Sequence, residues 1–142
     1  MIYTDLTKKA LKLCFEAHKE QVDKSGMPYV FHPFHLAEQM TDEATTVVAL
    51  LHDVVEDTAT TFEDLEKQGF SDEIINALKL LTHEKKAPYM DYIREIKKNK
   101  IATKVKLADL RHNSDLTRLD VIDEKALNRK EKYEKAIKLL GE

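Results

Sequence analysis

"VVALLHDVVEDT", Val47 to Thr58, carries five apolar residues into His52, Asp53, Glu56 and Asp57 with no Lys or Arg among them. Extended back to Glu43, the segment "EATTVVALLHDVV" reads as one helix and holds no Gly or Pro. It therefore puts an imidazole and three carboxylates at the end of the most hydrophobic stretch of the chain. Ionised groups are costly to bury without partners, and like charges three or four residues apart on a helix repel one another. Either this end lies open to water, as a solvated helix end would for Glu56 and Asp57 taken alone, or a positive charge sits there. A divalent cation suffices.

The rest of the chain agrees with an all-α reading. Apolar residues at Leu6, Ala10, Leu13, Cys14 and Ala17 form a helical stripe from Asp5 to about His18. Gly26 and Pro28 mark a loop in "EQVDKSGMPYVF". His32 precedes Pro33, which biases its backbone toward an extended conformation and suits Pro33 to the first turn of a helix reaching about Met40. Thr61 with Asp64 resembles a capping arrangement, Gly69 a stop, and Ser71 the N-cap of "DEIINALKLL". Pro88 precedes "YMDYIREIKK", Ile101 to about Leu119 keeps helical spacing, and "DEKALNRKEKYEKAIKLL" ends at Gly141. This makes seven or eight helices and no strand, in a compact single domain over 1–142.

At 142 residues, 42% hydrophobic and 35% charged, the chain has the length and composition of one folded domain. A net charge of −3 gives no basic footprint for nucleic acid. A single cysteine, Cys14, excludes an intrachain disulfide and reads as a small core residue. No apolar run approaches the ~20 residues that cross a bilayer, and no signal segment is seen, so a cytoplasmic protein without membrane attachment is expected. The oligomeric state is not readable.

Asp109 in "ATKVKLADLRHN" shares an apolar stripe with Val105 and Leu116, where a carboxylate needs a partner. His32, His52, Asp53 and Asp109 together are a plausible ligand set for Mn²⁺, Fe²⁺ or Zn²⁺, since imidazole suits transition metals and carboxylate the harder ions. Among the rest, His112 is placed to hold Asp109 or a neighbour, and His35 faces the core or solvent. His83 lies exposed near a helix end, and Tyr29 lines the pocket or packs. Lys104 and Lys106 flank Asp109, while Tyr133 and Lys135 would close the far side of a cleft.

The set "PYVFHP", "LLHDVVEDT" and "KLADLRHN", in order and with compatible spacing from about Leu11 to Leu119, resembles the HD-domain metal-dependent phosphohydrolases. More narrowly, it is similar to the hydrolase domain of the RelA/SpoT family and its small stand-alone relatives, which degrade the alarmones ppGpp and pppGpp. The resemblance implies an HD-type helical bundle with His32, His52, Asp53 and Asp109 as metal ligands and Mn²⁺ as the usual ion. It implies Glu56 and Asp57 as the groups that position or deprotonate the attacking water. It places Lys24 and Ser25 along the guanine base, Asn113 near the ribose and Leu119 beside the base. The implied activity is removal of the 3′-pyrophosphate from (p)ppGpp, a small-molecule nucleotide substrate, without the synthetase region of longer members. Two positions depart from the family. Asp23 stands where an Arg usually lies beside the base, and Asp115 where a basic residue is common; on this reading Asp23→Arg would restore a contact and lower KM. These departures keep two alternatives open: an HD hydrolase of another nucleotide or phosphate metabolite, and a non-catalytic nucleotide-binding module.

Overall fold

A computed structural model describes residues 1–142 and contains nine α-helices and one 3-10 turn. They are α1 (Asp5–His18), α2 (Phe31–Glu38), α3 (Glu43–Leu51), α4 (Val54–Asp57), α5 (Phe62–Lys67), α6 (Asp72–Leu81), α7 (Tyr89–Lys97), α8 (Lys100–Asn113) and α9 (Glu124–Gly141), with the 3-10 turn at Leu116–Arg118 between the last two. The only β-type pairing is an isolated bridge between Val22 and Pro28. No helix is long and apolar enough to cross a membrane.

Local chemistry sets most of the ends. Thr4 and Thr7 form a reciprocal cap on α1, and Thr61 and Asp64 do the same on α5, each satisfying amides that a helix start leaves unpaired. Ser71 caps α6 and Asp123 caps α9. Gly69 sits just past α5 with φ +96°, a conformation that favours glycine. α3 is the axis of the molecule: every residue from Thr45 to Leu51 is buried, and α1, α2, α6 and α8 pack around it. That explains the near-continuous apolar run, because a helix covered on all sides has no polar face.

The structure corrects the sequence reading at three points. The helix expected from Glu43 to Val55 is broken at His52 and Asp53, so α3 and α4 are separate. In an unbroken helix the Ala49 carbonyl would pair with the amide of Asp53; here it accepts Nδ1–H of His52 at 2.6 Å. His32 is helical, not extended. α2 already starts at Phe31, so Pro33 falls in the first turn, where its lack of an N–H costs no bond. Finally, α8 stops at Asn113 and leaves Leu119 outside it. Asp115 turns the chain by accepting from the amide and hydroxyl of Thr117 at 3.0 and 2.5 Å.

Candidate metal centre and nucleotide cleft

Each of three helices contributes one group to a single point. α2 brings His32, the broken end of α3 brings His52, and α8 brings Asp109; one ligand atom from each lies within 4.8 Å of the others, and all three residues are buried. His32 Nε2 is 2.8 Å from Asp109 Oδ1, and His52 Nε2 is 3.6 Å from the same oxygen. Asp53 stands beside them, its Oδ2 3.0 Å from His52 Nε2, and it accepts a hydrogen bond from the Tyr29 hydroxyl.

The protons show what this point requires. His52 Nδ1 donates to Ala49 O, so Nε2 of the neutral ring presents a lone pair, and that buried atom makes no hydrogen bond. It faces two carboxylates. Burial alone would lower the pKa of His52, but Asp53 and Asp109 overcome it and hold the ring's affinity for a proton well above the ordinary range. Burial would likewise raise both carboxyls. A positive charge on His52 would instead pull Asp53 down to about 2, and Lys106 pulls Asp109 well below its ordinary value. The site therefore demands a positive charge at Nε2, and the donor set of two imidazoles and carboxylates fits a divalent transition-metal ion.

A second layer holds these groups in place. Lys106, scarcely exposed, donates to Asp109 Oδ2 at 2.9 Å, and Asn113 donates to Oδ1 at 3.0 Å. His112 supports His32 rather than Asp109: the two Nδ1 atoms are 2.7 Å apart and the rings are stacked. Burial and the nearby Arg118 push the pKa of His112 to about 3, so it is neutral and accepts Nδ1–H of His32, leaving His32 Nε2 for the centre.

Glu56 and Asp57 stand at the solvent edge of the centre. Glu56 accepts the backbone N–H of His83 at 2.8 Å and Asp57 faces Gln21 Nε2 at 3.4 Å. Desolvation raises both carboxyls, with Asp53 adding to the shift in each. Glu56 shares a cavity of about 200 Å³ with His52, Asp53, Asp109, Lys106, His83, Tyr89 and Tyr92. His83 is thus half-buried at the site, stacked on Tyr92 at 4.4 Å, and not an exposed helix-end residue.

A larger cavity of about 350 Å³ collects Lys24, Ser25, Asn113 and Leu119, the four residues assigned to substrate, together with Tyr29 and Tyr133. It also holds Arg118 and Arg129, which the sequence reading did not single out. Arg118 donates to His112 O at 3.0 Å and to Asn113 Oδ1 at 3.3 Å, and lies 3.9 Å from Asp23. The positive charge absent at positions 23 and 115 is therefore present in the same cavity from other places. Asp23 itself is a loop cap: its Oδ1 accepts the amides of Ser25 at 2.9 Å and Met27 at 3.0 Å. That role is additional to the missing Arg at this position. Of the remaining expectations, His35 is exposed and stacks on His112. Lys104 reaches Thr41, Lys135 faces Glu131 on the surface away from the cavity, and Cys14 is a core thiol whose pKa burial pushes up to about 12.

Comparison with known proteins places this arrangement among relatives. A family model described as an HD domain matches residues 10–113. The chain is 38% identical over 85 residues to a guanosine-3′,5′-bis(diphosphate) 3′-pyrophosphohydrolase of Aquifex aeolicus, covering 57% of this chain and 12% of that protein. It is 37% identical over 91 residues to the pyrophosphohydrolase MESH1 of Xenopus tropicalis, covering 58% of this chain and 50% of that one. A solved structure, described as a metazoan ortholog of SpoT that hydrolyzes ppGpp, superposes with a TM-score of 0.77 at 26% identity over 99% of this chain and 87% of its own. The chain thus spans half or less of the length of these two curated relatives.

Proposed function

The chain belongs to the HD-domain family, and from that premise we propose that it is a metal-dependent phosphohydrolase that removes the 3′-pyrophosphate of (p)ppGpp, acting as a single domain over residues 1–142 in the cytoplasm. The observation that carries the proposal is the orphaned Nε2 of His52, facing Asp53 and Asp109 beside His32, next to a cavity lined by three cations. His32, His52, Asp53 and Asp109 would hold the ion, with Mn²⁺ the proposed one. When bound, such an ion lowers the pKa of its water and polarises a phosphoryl oxygen.

The remaining chemistry belongs to the side chains. Lys24, Arg118 and Arg129 offer positive charge to phosphate, Tyr29 and Leu119 offer apolar surface to the base, and Asn113 lies where a ribose would pass. Glu56, its proton affinity raised by its surroundings, takes the proton of the attacking water. The water oxygen bonds to the phosphorus nearest the ribose, the P–O3′ bond breaks, and the 3′ oxygen leaves as a hydroxyl after gaining a proton. Asp57, also raised, stands by as the neighbouring acid. Lys106 keeps Asp109 ionised and fixed throughout.

Incubating the Mn²⁺-loaded protein with ppGpp and other nucleotides, and separating pyrophosphate from phosphate, tests this. Pyrophosphate release from ppGpp is expected. Release from a different nucleotide alone, or binding with no turnover of any, would replace the alarmone reading by one of the two alternatives. Glu56→Gln should retain fold and ion but lower kcat by ~10²–10⁴-fold; an unchanged kcat would move the base to Asp57 or to solvent.

A further inference from the structure

Two tyrosines of α7 line the small cavity next to the candidate metal centre, and their hydroxyls have opposite fates. Tyr92 donates to the Leu81 carbonyl at 2.6 Å, so its O–H is spent on holding α7 to the end of α6. Tyr89 O–H is buried and has no partner at all. An unpaired buried hydroxyl costs free energy comparable to a lost hydrogen bond, so an orphan of this kind in a native site calls for an explanation.

The surroundings define what it can receive. Burial raises the Tyr89 pKa to about 12, so the phenol keeps its proton and can donate at any ordinary pH. Its ring is fixed from two sides: Lys132 Nζ lies 4.5 Å from the ring centroid, and the Tyr133 ring is 6.3 Å away. Tyr133 lines the larger cavity, which sets Tyr89 at the wall between the two spaces. Lys106 and Asp109 line the same small cavity. A space of about 200 Å³ lies below the ~300–1,000 Å³ range of pockets for drug-sized ligands; it suits a diphosphate group better than a nucleoside. Phosphate oxygens only accept hydrogen bonds, and a phenol with its proton is the donor such an oxygen needs.

We propose that Tyr89 is a substrate-binding residue whose O–H donates to an oxygen of the diphosphate group seated in the small cavity. The assignment rests on the phosphohydrolase reading above and adds to it a residue from α7, an element outside the motif set. It also gives the two α7 tyrosines separate duties, one structural and one for ligand.

Tyr89→Phe and Tyr92→Phe distinguish these duties. Binding of inorganic pyrophosphate to the Mn²⁺-loaded protein is measured by calorimetry, beside the thermal unfolding midpoint of each variant. Tyr89→Phe should weaken pyrophosphate binding by about tenfold or more, the range for a hydrogen bond to a charged group. Its Tm should hold or rise, because an unsatisfied buried hydroxyl is removed. Tyr92→Phe should lower Tm by stranding Leu81 O. Parent-like pyrophosphate affinity in Tyr89→Phe overturns the assignment, as does a fall in its Tm equal to that of Tyr92→Phe. A parent protein that binds pyrophosphate and shows the Tyr89 effect, but releases none from ppGpp, sinks the alarmone reading and upholds the Tyr89 contact.

Discussion

Substituting Asp23 asks whether one carboxylate holds the loop that forms a wall of the nucleotide cavity. Its Oδ1 accepts the amides of Ser25 and Met27, and its Oδ2 lies 3.9 Å from Arg118 with both side chains about three-quarters covered, at 22% and 25% exposure. Removing a capping acceptor typically costs ~0.5–2 kcal/mol, so the pair of amides together is worth about 1–2 kcal/mol. The ion pair adds about 0.5 kcal/mol, as partly exposed pairs do. Asp23→Arg loses both and places two guanidinium groups together, for a total of about 2–3 kcal/mol. At ~2–4 °C per kcal/mol for a chain near this size, Tm should fall by about 5–10 °C. KM for the nucleotide should rise, because Lys24 and Ser25 ride on the same loop. Asp23→Asn keeps an oxygen for both amides and loses only the ion pair, so its Tm should fall by about 1–2 °C. Differential scanning fluorimetry with steady-state kinetics on the two variants reads both effects. An Asp23→Arg protein with parent Tm and a severalfold lower KM would refute the loop-cap assignment and restore the simpler view of Asp23 as an absent base contact.

Chelation should remove stability as well as activity, since an ion that binds only the folded state adds ~2.7 kcal/mol at a hundred times its Kd; Tm should therefore fall by several degrees with a chelator and return on adding Mn²⁺, and elemental analysis that finds no ion taken up would end the metal assignment. Asp109→Asn should abolish that chelator response, because it weakens the one carboxylate shared by His32, His52 and Lys106. Asp42 caps α3, and the Thr45 amide and hydroxyl lower its pKa. A lowered folded-state value gives stability that is present above the unfolded carboxyl value and lost as pH falls through the folded one. Asp42→Ala should thus cost ~1 kcal/mol near pH 6, and the Tm gap to the parent should close below about pH 4; a gap that persists in acid would show that the charge is not involved.

Much of the fold is legible because its stops are chemical and local. Thr61, Gly69 and Ser71 are legible from neighbours within three residues, and the structure has all three in those roles. The break after Leu51 is not legible, since an imidazole taking its own helix's carbonyl looks, in sequence, like any helical His. The acids were legible through a conflict: Asp109 falls on an apolar stripe, and His52 with Asp53 ends a buried helix, so each demanded a partner. Lys106 is legible only as a flank of Asp109, because nothing in the spacing says that a lysine three residues before a carboxylate turns inward with it. Arg118, Arg129 and Tyr89 escaped for a different reason. They reach the site from the turn after α8, from α9 and from α7, and only the packing of those elements brings them to the cavities.

The balance of charge differs between the two cavities, acidic in the small one and basic in the large, and this separates two kinds of binding. The small cavity holds Asp53, Glu56 and Asp109 against one half-buried cation, Lys106, which is already paired. A diphosphate entering it meets net negative charge unless an ion is bound. The large cavity holds Lys24, Arg118 and Arg129 against Asp23 and Asp115, and burial with the nearby Arg129 lowers the pKa of Lys24. Phosphates there need no metal. Guanosine 5′-diphosphate should therefore bind the chelated protein nearly as well as the Mn²⁺-loaded one, and its affinity should fall as salt is raised, since exposed charges are screened over ~8–10 Å at ordinary ionic strength. Inorganic pyrophosphate should lose on chelation the affinity supplied at the acidic end, and keep only weak, salt-sensitive binding to the cations of the large cavity. Titrating both ligands with and without chelator at two salt concentrations separates the cavities. Loss of guanosine 5′-diphosphate binding on chelation would place its phosphates at the acidic end, and would reverse the orientation in which the nucleotide lies across the site.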